Sequence, residues 1–422
     1  MSTDQPRVSV FTPSHRNTYL DECLQTLTAQ TFEDWEWIVL LNGGNRWRPL
    51  HDDPRLRIVM ADDLGGIGAV KRHACLISRG EFLVELDHDD LLASHALQRV
   101  VEAFDANPDV GFVFSNTAQI LGDGSRDESR FNEAHGWTYR DATVDGRSVL
   151  QTDAMTASPH NVSYIWYAPN HVRSFRRTTY DAAGGYDADR AILDDQDLMC
   201  RMYAVADFYL IDECLYLQRM HQANTQREAA TNATIQTETV ALYDRYIETN
   251  ARAWASRAGL HALDLGAAHS KPPGYLGVDQ YEGEGVDIVA DVADGIDLAD
   301  SSVGVIRAVD FLEHVVDKIS MFNEMYRLLA HGGMLISLTP STDGRGAFQD
   351  PTHVAFYNEN SFWYFTDRSF AAFVPQIQCR FQASRLATLF PSDWHKQHNI
   401  SYVQANLVAI KEGPRQGGLL LI

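Results

Sequence analysis

The sequence predicts an α/β protein of two domains, each a mostly parallel sheet flanked by helices. Three observations predict it. The chain has 422 residues, more than one hydrophobic core usually organises. Short apolar runs alternate with helical periodicities over residues 8–87 and again over 261–339. Between these blocks, residues 228–258 are rich in Ala, Thr, Glu and Gln and nearly free of Gly and Pro, as in a helical connector. The expected boundaries are 1–226 for the first domain, 227–258 for the connector and 259–422 for the second domain.

Residues 8–12 read as a buried strand. Asn17 can cap a helix whose Leu20, Leu24 and Leu27 recur at i, i+4 and i+7. Residues 35–41 form the next strand, stopped by Asn42-Gly43-Gly44, and residues 57–60 a short third. Val70, Ala74 and Ile77 mark a helix before the strand that ends at Asp87. Units of this length imply parallel pairing with right-handed crossovers. Ligands of such sheets sit beyond the carboxyl ends of the strands, where Thr12-Pro13, Asn42-Gly43 and Asp87-His88-Asp89-Asp90 all fall. Residues 122–151 are polar and Gly-rich without a period, and are expected to form a loop suited to acceptor contacts. In the second domain, strands are expected at 261–266, 275–278 and 303–309. A helix over 319–329, stopped by Gly332-Gly333, then leads to a strand at 334–339.

Thirty-five basic against 57 acidic residues give a formal charge of −22, which argues against a nucleic-acid partner. The five cysteines are odd in number and lack metal-type spacing, as expected of reduced thiols in a cytoplasmic protein. No run reaches transmembrane length, and the C-terminal Gly417-Gly418-Leu419-Leu420-Leu421-Ile422 is too short to span. A soluble enzyme is expected, not a processive membrane-embedded synthase.

The most informative segment is Phe82-Leu83-Val84-Glu85-Leu86-Asp87-His88-Asp89-Asp90, an apolar run ending in three carboxylates within four positions. On an extended backbone residues i and i+2 point to one side, so Asp87 and Asp89 could converge on one cation. Mg²⁺ and Mn²⁺ take oxygen ligands, and Mg²⁺ is commonly held by one or two carboxylates plus substrate phosphates. The plain alternative is a solvated turn capping the next helix.

Residues 7–226 resemble the family 2 glycosyltransferases of the GT-A fold. The resemblance rests on an ordered set: Val8-Ser9-Val10-Phe11-Thr12-Pro13, the Asp87–Asp90 cluster, Phe175-Arg176-Arg177, Gly184-Gly185-Tyr186-Asp187, Leu193-Asp194-Asp195-Gln196-Asp197-Leu198 with Arg201, and Tyr216-Leu217-Gln218-Arg219-Met220-His221 followed by Asn224-Thr225. It implies an inverting transfer of a sugar from a nucleotide-sugar donor to an acceptor hydroxyl. Asp87, Asp89 and His221 would hold Mg²⁺ or Mn²⁺, and Asp195 would be the catalytic base beside Asp194 and Asp197. Thr12, Pro13, Asn42, Asp63, Lys71, Asp87 and His88 would contact the donor, with Asp62 and Arg72 nearby. Asn42 stands where relatives usually carry an acidic residue, which leaves the nucleoside base open.

Residues 259–412 resemble class I S-adenosylmethionine-dependent methyltransferases, a Rossmann-like fold. The carrying residues are Leu263-Asp264-Leu265-Gly266, Gly277-Val278-Asp279, Asp291, Phe311-Leu312-Glu313-His314 and the helix before Gly332-Gly333. The resemblance implies S-adenosylmethionine bound by Asp264, Gly266, Asp279 and Asp291, with Asp279 on the ribose hydroxyls. Two departures stand out. The glycine-rich loop is reduced to Gly266-Ala267-Ala268-His269-Ser270, and so few residues separate the first two strands that the first helix must be short or missing. In Gln349-Asp350-Pro351-Thr352-His353-Val354, His353 could deprotonate a sugar hydroxyl with Asp350 orienting it.

The combined reading is a glycosyltransferase whose second domain O-methylates the added sugar or the acceptor. The acceptor could be a glycan, a lipid-linked precursor, a protein or a small molecule. The alternatives are a second domain that has lost its cofactor and only binds, a nucleotidyltransferase, and a non-catalytic carbohydrate-binding protein.

Overall fold

The computed structural model describes residues 5–221 and 229–413. The Asn224-Thr225 pair, the expected boundary at 226/227 and the C-terminal Gly417–Ile422 run lie outside the described residues. The chain divides into two compact units, residues 1–247 and 248–422.

The first unit runs β1 (Val8–Ser14), α1 (Leu20–Thr28), β2 (Trp35–Leu41), β3 (Leu56–Met60), α2 (Ile67–Ile77), β4 (Phe82–Glu85), β5 (Leu91–Leu92), α3 (Ala96–Ala106), β6 (Val110–Leu121), β7 (Tyr139–Val144), β8 (Arg147–Thr152), α4 (Pro159–Ser163), β9 (Ser174–Arg176), α5 (Arg177–Ala182), α6 (Asp194–Tyr203) and β10 (Asp207–Met220). Its sheet orders the strands β3-β2-β1-β4-β9-β6-β10-β5. The first four are parallel, with α1 and α2 as crossover helices and a loop between β2 and β3. β9 then enters antiparallel between β4 and β6. Every residue of β1 and β2 is buried, because helices cover both faces there.

The 122–151 segment is not the expected loop. It carries the hairpin β7–β8, paired from Tyr139↔Thr152 to Val144↔Arg147. Its turn residues Asp145 and Gly146 have φ of 46° and 80°, the left-handed pair that a two-residue hairpin loop needs. Asn17 does not cap α1 through its side chain, which instead donates to the Arg46 carbonyl at 2.6 Å.

α2 begins against the Asp187–Arg190 turn, and a Cβ on Gly68 would lie 2.1 Å from the Asp187 carbonyl oxygen. Gly68→Ala is therefore expected to push α2 off this turn and to lower the melting temperature. Unchanged thermal unfolding would contradict the close approach.

A helix, α7 (Ala229–Arg257), contains the division between the units. The second unit runs β11 (His261–Leu265), β12 (Leu276–Asp279), β13 (Ile288–Val289), β14 (Val303–Val309), α8 (Lys318–Leu328), β15 (Leu329–Pro340), β16 (Phe381–Leu389) and β17 (Tyr402–Ala409). Its strand order is β13-β12-β11-β14-β15-β17-β16, with the last two antiparallel. No helix separates β11 from β12, so the first crossover is a bare loop. Gly332-Gly333 does not stop α8. β15 starts at once at Leu329 and runs through both glycines, where its register against β14 slips. The core of this unit gathers Leu263, Ile306, Met321, Phe322 and Leu335, all fully buried.

Candidate active sites

In the first unit, the pairing of β1 with β4, ending at Phe11↔Glu85, brings the two strand exits together. Thr12 is fully buried, donates its hydroxyl to the Leu86 carbonyl at 2.7 Å and accepts from the Trp37 indole at 2.9 Å. Both bonds tie the Thr12 hydroxyl to the framework of the strand exits. Pro13 lies within β1 opposite Leu40 and presents no polar side-chain atom.

The expected geometry of Asp87 and Asp89 fails for a definite reason. β4 stops at Glu85, and residues 87–90 form a turn closed by the Asp90 N–H on the Asp87 carbonyl at 3.2 Å. Alternation along an extended strand therefore does not apply. Asp87 gathers instead with Asp90 and His171, ligand-type atoms within 4.8 Å of one another, while Asp87, Asp89 and His221 form no such group. Asp89, 8% exposed, faces His221, Nε2 to Oδ2 at 2.8 Å.

Asp87 is the more open carboxylate, its side chain about one-third exposed against 12% for Asp89, but its two neighbours are enclosed. Asp90 is engaged by the Arg219 N–H at 2.6 Å, and His171 is 1% exposed and stacked on Tyr216 with ring centroids 3.9 Å apart. Carboxylate and imidazole both suit Mn²⁺. Adjacent ligands of an octahedral ion with bonds of about 2.1 Å stand about 3 Å apart, so a cation fits between Asp89 and His221 with little movement.

Beneath the turn lies a buried charge network. Glu85 is fully buried, with Lys71 at 2.8 Å, an Arg173 nitrogen at 3.2 Å and the Tyr186 hydroxyl donating at 2.7 Å. Burial alone would raise the Glu85 proton affinity, but Arg173 and Lys71 reverse that and hold it ionised. Lys71 also reaches Asp194 at 2.8 Å. Burial disfavours its charge, and Asp194 and Glu85 more than restore it. Lys71 is thus held in the network by two buried carboxylates. Arg72 bonds the Tyr186 carbonyl at 2.7 Å. Arg173 links the parts: it donates to Asp195 and Glu85 and lies 3.6 Å from Asp87. Asp87, about one-third exposed, is pushed up to about 7, by burial first and Glu85 second, against the pull of Arg173.

The three carboxylates of α6 separate clearly. Asp194 is buried on Lys71. Asp197, 2% exposed, takes Arg201 at 2.6 Å and the Tyr246 hydroxyl at 2.8 Å. Asp195 alone keeps a partly open side chain, 19% exposed, oriented by Arg173. Leu193, at φ 53°, makes the sharp entry that sets these residues at the helix start.

On the nucleoside side, the Asn42 amide oxygen is buried without a hydrogen-bond partner among the described residues, as a group awaiting a ligand would be. Asp62 accepts the Gly44 N–H at 2.8 Å and pairs with Arg46 at 3.0 Å, so it shapes the Asn42 loop. Asp63 is exposed beside it. Burial pushes the His88 imidazole down to about 4, keeping it neutral near pH 7. Glu85, Arg173 and His171 were not singled out from sequence, for want of any local pattern.

In the second unit, a cavity of about 680 Å³ opens at the exits of β11, β12 and β14. Its wall includes Gly266, Asp279 and Asp291, together with Asp310, Phe311 and His314. Its size is that of a small-molecule site. Gly266 sits at φ 77°, where a Cβ would meet the Phe311 ring at 2.9 Å. Asp279 accepts the Ala268 N–H at 3.2 Å and the Tyr281 N–H at 3.0 Å, which fixes its carboxylate and leaves lone pairs to spare. Asp264 does not line the cavity. It lies beside Arg307 in the β11–β14 pairing, is 3% exposed and forms an ion pair at 2.7 Å. Nor does Asp350 orient His353. Asp350 bonds Thr352, and the His353 Nδ1 is held by the Ala347 carbonyl at 3.0 Å.

Residues 9–165 match the family model described as glycosyl transferase family 2, and residues 263–337 match that of a methyltransferase domain. EpsJ of Bacillus subtilis strain 168, an uncharacterized glycosyltransferase, is 25% identical over 227 residues, 51% of this chain and 61% of EpsJ. A chondroitin synthase of Pasteurella multocida strain Pm70 is 24% identical over 228 residues, 52% of this chain and 21% of that protein. The chain covers less than two-thirds of either relative. A mannosyltransferase of Pyrobaculum calidifontis, solved with GDP-Man and Mn²⁺, superposes with a TM-score of 0.40 at 18% identity, covering 61% of this chain and 76% of that one. With both models matching in order on two separately folded sheets, the chain joins a family 2 glycosyltransferase domain to a methyltransferase domain.

Proposed function

We propose that the first domain transfers a sugar, with inversion, from a metal-bound nucleoside diphosphate to an acceptor hydroxyl, and that the second O-methylates the sugar or the acceptor. The observation that carries the first part is the position of Asp195. It is the one carboxylate of its trio left open, and Arg173 ties it to Glu85 and Asp87 at the strand exits. A fixed carboxylate beside a bound hydroxyl can take its proton as the new bond forms. Asp89 and His221 would hold the cation, which when bound offsets the charge of the leaving diphosphate. Asn42 would meet the nucleoside through its unpartnered amide oxygen, with Asp63 beside it. Neutral His88 can donate to the donor's oxygens. The test is a screen of nucleotide-sugars with each possible acceptor class: release of nucleoside diphosphate supports sugar transfer, and release of pyrophosphate would point to nucleotidyl transfer instead.

For the second domain, Gly266 and Asp279 are the residues that S-adenosylmethionine would meet, and Asp291 would stand near its adenine. Their side chains or backbone line one cavity of suitable volume, and an acidic wall suits a ligand carrying sulfonium and ammonium charges. When bound, the cofactor supplies an electrophilic methyl group. His353 would act on the acceptor hydroxyl from the edge of this site. Tritiated S-adenosylmethionine is expected to bind the wild-type chain and to be lost at least about tenfold in affinity with Asp279→Ala, the scale of one lost charged hydrogen bond. Equal binding by the variant would contradict the assignment.

A further inference from the structure

His314, in the cavity wall of the second domain, belongs to a cluster with its own chemistry. Glu313, His314 and His353 each place one ligand-type atom within 4.8 Å of the other two. Both imidazoles are held in one tautomer. The His314 Nδ1 lies 3.2 Å from the Thr352 carbonyl, and the His353 Nδ1 lies 3.0 Å from the Ala347 carbonyl. A carbonyl oxygen only accepts, so each Nδ1 carries the proton and each Nε2 keeps a bare lone pair. The Thr352 hydroxyl spends its own proton on Asp350 at 2.6 Å, so toward His314 it too accepts. An imidazole whose far nitrogen is pinned by a backbone carbonyl is the arrangement of a metal ligand.

Glu313 supplies an independent sign. It is 1% exposed, and one oxygen, Oε2, takes the Thr339 hydroxyl. The other, Oε1, is buried with no hydrogen-bond partner among the described residues. A buried carboxylate oxygen without a donor is costly unless a cation meets it.

We propose that Glu313, His314 and His353 bind a divalent transition-metal ion at the edge of the cofactor cavity, and that its open positions take hydroxyl oxygens of the sugar to be methylated. Two imidazoles and a carboxylate on one side of an ion leave coordination positions for oxygen ligands. His314 belongs to the cavity wall, which places the ion beside the space for the methyl donor. His353 thereby acts on the acceptor as an ion ligand, not as the proton acceptor itself. Phe348 and Phe356, stacked at 5.3 Å and 64% and 42% exposed, flank His353 in sequence and offer an apolar face for a sugar ring. The sugar assignment rests on the methyltransferase reading; the ion site does not.

The test uses the full chain carrying Asp89→Asn, so that the first domain contributes no ion, with Co²⁺ as the probe. Equilibrium dialysis and visible absorption are expected to show one Co²⁺ per chain. Glu313→Gln and His353→Ala, each confirmed as folded by its thermal transition, should each weaken binding by more than about tenfold, beyond the usual loss of a partner to a ligand. Failure of the parent to bind Co²⁺, or unchanged binding in both variants, would overturn the site. Tritiated S-adenosylmethionine is measured on the same samples. Its binding without Co²⁺ overturns the ion site and spares the methyltransferase reading, whereas Co²⁺ binding without it supports the ion site and overturns that reading.

Discussion

Asp195→Asn is expected to lower the rate of sugar transfer by about 10³-fold, within the range of a lost general base, while leaving donor affinity nearly unchanged. The substitution keeps the shape of the side chain but removes its capacity to accept a proton. It also removes the charge that Arg173 meets at Asp195, while Arg173 retains Glu85 at 3.2 Å, so the floor of the site should persist. Asp194→Asn and Asp197→Asn lie on the same helix turn but are satisfied by Lys71 and by Arg201. Their effect should appear in stability before chemistry. Steady-state rates and donor dissociation constants for all three variants make the comparison. Turnover by Asp195→Asn within about threefold of wild type would remove the base assignment, since a general base contributes at least about a hundredfold.

Lys71→Met is expected to have the largest effect on stability. The ammonium sits 2.8 Å from both Glu85 and Asp194, and all three side chains are almost wholly enclosed. Removing one member of a buried pair leaves the others uncompensated, typically at about 3–5 kcal/mol. Arg173 still offsets part of the Glu85 charge, so the lower end applies, about 3 kcal/mol, or a fall in Tm of the order of 10 °C for a unit of this size. A double variant that also carries Glu85→Gln should recover part of the loss, because it removes the stranded charge. An unchanged melting temperature for Lys71→Met would mean that the network does not hold the site together.

Much of the architecture is legible in local patterns. The β1, β2 and β4 strands read directly from their apolar runs, although β1 runs on to Ser14 and β4 stops at Glu85, short of Asp87. The absent helix after β11 follows from the few residues between Gly266 and Tyr275. The β7–β8 hairpin was legible too, since Asp145-Gly146 between β-forming runs is a hairpin signal, but the polar composition around it obscured the pattern. What sequence could not convey is long-range. Glu85, Arg173 and Asp195 are far apart in sequence and meet only because β9 enters antiparallel beside β4, which sets Arg173 against Glu85 and the start of α6. The Asp87–Asp90 run shows the opposite failure. Its spacing invites an extended reading, yet a turn separates Asp87 from Asp89, and strand alternation does not survive it. Asp264 fails similarly, because pairing in register with Arg307 decides which way it serves.

Release of nucleoside diphosphate from the supporting nucleotide-sugar, measured with Mn²⁺, with excess EDTA and after Mn²⁺ is restored, tests the central proposal most directly. The expected result is release that disappears in EDTA, returns with the ion, and is lost at every Mn²⁺ concentration up to millimolar in the Asp89→Ala variant. Equal release in EDTA by the wild-type chain would contradict it.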